Sequence, residues 1–118
     1  MPGPFAIADR SYHCPVELTL SAIGGKWKVL ILWRLMDGTM RYSELRRSLG
    51  AITHKMLAQQ LRELEADGLI VRTVHPVIPP HVDYALTDAG RRLGPVIRAM
   101  AKWGGVYAAR QGETAAAG

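Results

Sequence analysis

The sequence predicts a mainly helical α+β domain, with four short helices followed by a two-stranded hairpin and a terminal helical region. Apolar residues recur at spacings of three and four as far as residue 68 and then alternate with polar residues over residues 70–86. Three prolines within residues 76–81 interrupt this alternation and predict a stiff loop between two strands. A length of 118 residues allows one domain.

Proline and glycine mark the ends of the first helix. Pro15 suits the first turn of a helix over residues 14–23, because the N–H that proline lacks would have no partner there. Gly24 and Gly25 end this helix. Residues 26–36 form a second helix whose apolar side chains point in every direction, so we expect it at the centre of the core.

The third and fourth helices are separated by a short turn, which is the spacing of a helix-turn-helix. Ser43 is expected to cap a helix that ends at Leu49, and Thr53 to cap a longer helix that ends near residue 67. Beyond Gly68, strands over residues 70–75 and 82–86 form the hairpin, which we call the wing. This order of elements predicts a winged helix-turn-helix with a two-stranded wing and terminal helices.

The fourth helix has an apolar face and a cationic face. Its bases precede its acids along the helix, an order that the helix dipole disfavours by about 0.3–1 kcal/mol per charge. A polyanion at the helix N-terminus explains this order, because free N–H groups would meet phosphate oxygens; a solvated face with no partner is the alternative. Leu57, Leu61 and Leu64 lie on one side, and Lys55, Gln59 and Arg62 lie on the other.

Positive charge is concentrated around the two central helices. The chain carries a net charge of +5 and has a pI near 9.8. Residues 41–62 contain five bases and one acid, which accounts for most of that excess and predicts a DNA-binding patch. The candidate DNA contacts are Arg41, Ser43, Arg46, Thr53, His54, Lys55, Gln59, Arg62 and His81.

Several motifs in the same order resemble the HxlR-type transcription regulators, which are bacterial winged helix-turn-helix proteins related to the MarR group. The motifs are GGKW at 24–27, YSELRR at 42–47, QLRELEADGLI at 60–70 and PPHVDYALT at 79–87. The resemblance covers residues 14–103. It implies a homodimer that binds promoter DNA through the helix at 53–67, with the hairpin at 70–86 as the wing and the terminal helices as the dimer interface. Such a protein would act in the bacterial cytoplasm at the nucleoid, for example as a repressor.

Apolar residues also predict a second copy of the chain as a partner. A stripe on the last helical region, added to that of the first helix, exceeds what one small core covers; the alternative is a terminal helix folded back on its own subunit. A dimer would present two recognition helices roughly 34 Å apart and prefer an inverted repeat. The candidate interface residues are Val16, Leu20, Leu93, Ile97, Met100, Trp103 and Tyr107.

Cys14 is the single cysteine, so an internal disulfide is excluded. It directly precedes the first helix, where free N–H groups and the helix dipole favour a thiolate. Cys14 is therefore a candidate sensor of an oxidant or a small electrophile, and a packed structural cysteine is the alternative. The resemblance implies a sensing cysteine at the matching position in some family members.

Other function classes lack support in the sequence. No nucleophile has a base and an orienting group at a recognisable spacing, which predicts no catalysis and no cofactor. His75 and His81 are separated by a proline-rich loop without regular ligand spacing, so no metal site is expected. A winged-helix module that binds proteins and not DNA is the rival hypothesis.

The ends of the chain are expected to lie outside the domain. The predicted organisation is a flexible N-terminal arm over residues 1–13, one DNA-binding and dimerisation domain over residues 14–110, and a disordered tail over residues 111–118. We find neither a secretory signal nor an apolar run near the roughly 20 residues that span a bilayer, which predicts a cytoplasmic protein without membrane contact.

Overall fold

The computed structural model describes residues 5–7 and 10–117. The helices are α1 (Pro15–Ile23), α2 (Trp27–Leu35), α3 (Tyr42–Leu49), α4 (His54–Ala66), α5 (Asp88–Arg91) and α6 (Gly94–Ala117). The strands are β1 (Phe5–Ile7), β2 (Arg10–Tyr12), β3 (Met40–Arg41), β4 (Ile70–His75) and β5 (His81–Leu86). This architecture confirms the predicted winged helix-turn-helix. None of the described helices has the length and apolarity needed to cross a membrane.

The core forms where α2, α3 and α4 meet. Leu32 of α2, Leu45 of α3 and Leu57 of α4 are fully buried. Trp27 and Trp33 pack against this core from other sides of α2, which confirms α2 as the central helix. The apolar side of α4 thus packs into the core of the helix-turn-helix. The opposite side of α4 remains exposed to solvent.

Side-chain caps set the start of two helices and fail to set a third. Thr53 Oγ1 accepts a hydrogen bond from the N–H of Met56 at 3.1 Å, which confirms Thr53 as the cap of α4. Thr87 Oγ1 likewise accepts from the N–H of Gly90. The predicted cap at Ser43 is wrong, because the N-cap of α3 is Arg41, two residues earlier, and the Glu44 carboxylate accepts the N–H of Arg41 at 3.2 Å.

The wing belongs to a three-stranded antiparallel sheet with the order β3-β5-β4. Met40 pairs with Tyr84 and Arg41 with Asp83, so the two residues just before α3 form a third strand. Residues 76–80 connect β4 to β5 at the tip of the wing. Because β3 leads directly into α3, the sheet fixes the wing beside the helix-turn-helix.

Both ends of the chain differ from the predicted arm and tail. Phe5 pairs with Tyr12 between β1 and β2, and the buried Tyr12 shares a hydrogen bond with Ser21 of α1 at 3.0 Å. Residues 1–4 and 8–9 of the predicted arm lie outside the described residues. At the other end α6 continues to Ala117, since no proline follows Pro95 and alanine favours helix; residue 118 lies outside the description.

The terminal helical region is split, as the Gly94-Pro95 pair predicts. The short helix α5 ends at Arg91, and α6 begins at Gly94 with Pro95 in its first turn. Proline is tolerated there because the first turn needs no N–H donor. The break changes the direction of the chain before the long final helix.

A methyl group at Gly90 is expected to destabilise the domain. A Cβ there would lie 2.1 Å from the carbonyl oxygen of Leu69, where the wing begins. Gly90→Ala should therefore lower the free energy of unfolding by about 1–3 kcal/mol, measured by urea denaturation. Gly105→Ala on α6 is the control, because nothing lies within 4 Å of its Cβ position and alanine favours a helix by up to ~1 kcal/mol. Equal effects of the two variants would contradict the steric explanation.

Candidate nucleic-acid interface

Helix α4 presents a polar face opposite its buried leucines. Leu57, Leu61 and Leu64 are buried, which confirms the predicted inner side. Lys55, Gln59 and Arg62 are exposed on the other side. The helix therefore offers solvent a surface of two cations and one amide.

Acids are kept away from the N-terminal end of α4. The first turn contains no acidic residue, and Lys55 is its second helical residue. Glu63, in the second half of the helix, forms an ion pair with Lys28 of α2 at 3.4 Å. The charge of Glu63 is thereby directed towards the body of the protein, so the exposed end of α4 remains positive.

Helix α3 contributes a second cluster of cations beside this end. Arg46, Arg47, Ser43 and His54 line a cleft of about 430 Å³ that is open to solvent. Arg46 is partly buried, and its Nε atom is fully buried without a hydrogen-bond partner among the described residues. Ser43 and Arg47 are exposed, so their donors can bind oxygen atoms of an anion in the cleft.

His54 is fixed by a residue that sequence reasoning missed. The hydroxyl of Tyr42 lies 3.0 Å from His54 Nδ1, and the two rings stack at 5.9 Å. His54 itself is exposed at the start of α4. Since Nδ1 is engaged, Nε2 is left as the atom that can reach outward. The motif at 42–47 contained Tyr42, but its hydrogen bond depends on the packing of α3 against α4.

A further cleft separates the helices from the wing. It measures about 450 Å³ and is lined by Arg41, Ser43, Arg72 and His81 among others. Arg72 is exposed on β4 and was not predicted as a site residue. Its position in an alternating strand suggested only a surface residue, and the register that sets it opposite Tyr84 was not visible in the sequence.

His81 lies at the base of the wing loop and not at its tip. It is the first residue of β5, and its ring stacks on that of His75 at 4.5 Å. The tip instead exposes Ile78, which is 99% accessible. The predicted strand over residues 82–86 left His81 in the loop, and this position is wrong because the strand begins one residue earlier.

The predicted interface residues divide into two groups. Val16 and Leu20 of α1 and Met100, Trp103 and Tyr107 of α6 are all exposed. Two others belong to the subunit's own core: Ile97 is only 3% accessible, and Leu93 packs against the core. Their inclusion in an exposed stripe was wrong, because one flank of the stripe faces α2 and the rest faces solvent.

The exposed apolar residues of α1 and α6 border one groove. It has a volume of about 530 Å³ and is lined by Pro15, Val16, Leu20, Val96 and Met100 among others. We call these exposed residues of α1 and α6, together with Trp103 and Tyr107, the apolar face. The rings of Trp103 and Tyr107 stack at 4.9 Å, so the two side chains form one aromatic cluster.

Cys14 lies at the N-terminal end of α1, next to this groove. It is the N-cap residue, its thiol is free, and it is partly exposed. Its carbonyl accepts the N–H of Leu18 at 3.2 Å. The Glu17 carboxylate accepts the N–H of His13, which brings a negative charge into the first turn of the same helix.

Comparison with known proteins agrees with this arrangement. Residues 22–112 match the model of the HxlR-like helix-turn-helix family. An uncharacterized HTH-type transcriptional regulator of Methanothermobacter thermautotrophicus is 46% identical over 105 residues, which is 89% of this chain and 80% of that protein.

Two solved structures are similar in both sequence and fold. The redox regulator HypR in its oxidized form is 49% identical, with a TM-score of 0.75 over 79% of this chain and 96% of the other. The reduced form of the transcriptional regulator YodB from B. subtilis is 40% identical, with a TM-score of 0.68 over 76% and 90% of the two chains. The matches indicate no enzyme family, and the chain belongs to the HxlR-like helix-turn-helix family of transcriptional regulators.

Proposed function

We propose that two copies of this chain form a homodimer that binds operator DNA at an inverted repeat. The observation that carries the proposal is the exposed face of α4, along which Lys55, Gln59 and Arg62 lie and whose first turn contains no acid. A major groove about 12 Å wide admits one helix. The free N–H groups of the first turn add to the attraction for phosphate.

The surrounding residues divide by the contacts that they can make. Arg41, Ser43, Arg46 and Thr53 flank the helix and, together with Lys55 in its first turn, would bind phosphates, which fixes the position of α4 on the duplex. His54 and Gln59 would face base edges, with Arg62 at the edge of this set. His81 and Arg72 lie towards the wing, where they would contact the neighbouring backbone.

The apolar face supports the dimer. Trp103 is 67% accessible and Leu20 is 61% accessible, which is unusual for large apolar side chains in a single subunit. The radius of gyration is 16.9 Å, whereas about 13.5 Å is expected for a compact chain of this length. Helix α6 thus extends from its own core, and a second copy would bury its aromatic surface.

Selection of bound sites from a random DNA pool tests the proposal. A dimeric reader should yield a palindrome with half-site centres about 10 base pairs apart, and its affinity should fall steeply with salt. The rival hypothesis, a winged-helix module that binds proteins only, predicts no enriched sequence. A repressor would then be distinguished from an activator by the position of the selected site relative to the promoter.

We further propose that Cys14 makes DNA binding sensitive to an oxidant or an electrophile. Two features support this. The free thiol lies at the N-terminus of α1, and Cys14 is followed in the chain by Pro15, which lines the groove of the apolar face. With a peroxide, the thiolate attacks one oxygen, the O–O bond breaks, hydroxide leaves and sulfur becomes a sulfenic acid. A polar group at the edge of the dimer interface would change the separation of the two α4 helices.

Peroxide treatment is expected to weaken operator binding by about 5- to 150-fold, the usual range of coupling between sites. Cys14→Ser should bind DNA normally and remain insensitive to peroxide. Fluorescence anisotropy with the selected operator measures both quantities, and a thiol reductant should restore binding. A wild-type protein unaffected by peroxide, or a serine variant equally inhibited, would refute the sensing role.

A further inference from the structure

The register of the wing brings together three side chains that can bind a metal ion. His75 and His81 are direct partners across β4 and β5, and Asp83 lies two residues beyond His81 on the same face. His75 Nε2 is 2.9 Å from Asp83 Oδ2, and His81 Nε2 is 3.8 Å from Asp83 Oδ1. Three ligand atoms, one from each residue, lie within 4.8 Å of one another.

We infer that the wing binds one divalent transition-metal ion through His75, His81 and Asp83. Two imidazoles and a carboxylate are a ligand set that Zn²⁺ accepts, with a fourth position left for water. Bonds of 2.0–2.2 Å in a tetrahedron would separate the ligand atoms by about 3.3 Å. His75 Nε2 and Asp83 Oδ2 are 2.9 Å apart, a little below this value. His81 lies nearer the other oxygen, Oδ1, so rotations of the histidine rings are needed to bring three atoms to one centre.

The burial of the three side chains permits these rotations. The rings stack with an angle of 21° between their planes, and they must turn out of the stack to direct both nitrogens at one ion. The side chains of His75 and His81 are 39% and 23% accessible, which leaves room for that movement. Asp83 Oδ1 is buried and accepts no hydrogen bond from the described part of the chain, so an ion would supply this oxygen with a close partner.

The ligand atoms select the class of metal. The cluster offers two imidazoles and a single carboxylate. Ca²⁺ and Mg²⁺ depend on several oxygen ligands and would be disfavoured here. Imidazole nitrogens suit Zn²⁺, Ni²⁺ and Cu²⁺ instead.

The absence of regular ligand spacing along the chain does not exclude a metal site, because residues that are apart in sequence can meet across a hairpin. Residues 75 and 81 are separated by a loop but meet across the strands. A bound ion would link β4 to β5 directly below the loop of residues 76–80 and hold the wing in one shape. An effect of the ion on DNA affinity rests on the proposed function, whereas the binding of the ion does not.

Zinc titration in competition with a chromogenic indicator, on the full chain, tests the site. The wild type should bind one Zn²⁺ per chain, and Co²⁺ in its place should give the visible absorption of a nitrogen- and oxygen-ligated ion. His75→Gln should lower the zinc affinity by at least ~10-fold, and Asp83→Asn should do the same. His54→Gln is the matched control and should leave zinc affinity unchanged.

Two outcomes would overturn the inference. One is equal zinc affinity of the wild type and of folded His75→Gln and Asp83→Asn variants, with folding verified by circular dichroism. The other is loss of zinc binding in Cys14→Ser alone, which would assign the ion to Cys14 and His13. Because the titration contains no DNA, a failure to bind operator DNA would leave its result unaffected.

Discussion

Trp103→Glu is expected to convert the proposed dimer into monomers and to lower operator affinity by about 10²- to 10⁴-fold. When one subunit of a dimer is bound to DNA, the second subunit is held near its own half-site at a high effective concentration. Independent monomers lack this gain, and its loss sets the expected fall in affinity. Trp103 is 67% accessible and stacks with Tyr107, so a carboxylate there would be buried without a partner in the dimer. Sedimentation equilibrium measures the assembly, and fluorescence anisotropy measures the DNA affinity.

Ala109→Glu is the control for this variant. Ala109 is also exposed on α6, and it lies about 120° around the helix from Trp103 at 100° per residue. The substitution adds the same charge away from the apolar face and should leave the dimer intact. The wild type, Trp103→Glu and Ala109→Glu should all have nearly the same affinity for a single half-site. A dimeric Trp103→Glu variant would exclude the apolar face as the interface.

The helix-turn-helix could be predicted because its signals are local. Thr53 and Gly68 define the ends of α4 through cap geometry and backbone conformation. The period of the leucines then identifies the buried side of the helix. The exposed residues Lys55 and Gln59 follow by exclusion, since a helix with one packed side must leave its other side to solvent.

The remaining features depend on contacts between elements that are distant in sequence. Residues 40 and 41 could be recognised as extended, but their pairing with β5 required the sheet. Ile97 and Met100 share one apolar stripe, and only the packing of α6 against α2 decides which of them is buried. The cluster of His75, His81 and Asp83 arises from strand register, which a spacing rule for metal ligands does not consider.

Lys55→Ala and Gln59→Ala are expected to weaken DNA binding in different ways, although both residues are exposed on the same side of α4. Lys55 adds a charge at the helix start, so its loss should affect all sequences alike. Each subunit would lose one phosphate contact, which lowers the slope of log affinity against log salt by about 0.9 per contact and about 2 for the dimer. At physiological salt the affinity should fall by about 10- to 100-fold.

Gln59 carries no charge, so its replacement should leave the salt dependence unchanged. An amide can form two hydrogen bonds with adenine, and a correct pair of this kind contributes about 1–3 kcal/mol of discrimination. Gln59→Ala should therefore lower affinity for the selected operator and change little for unrelated DNA, so that one position of the consensus becomes degenerate. Salt titrations of both variants on operator and unrelated duplexes separate the two effects. If Gln59→Ala changes the salt slope, or Lys55→Ala alters only operator binding, the assignment of phosphate and base contacts on α4 must be reversed.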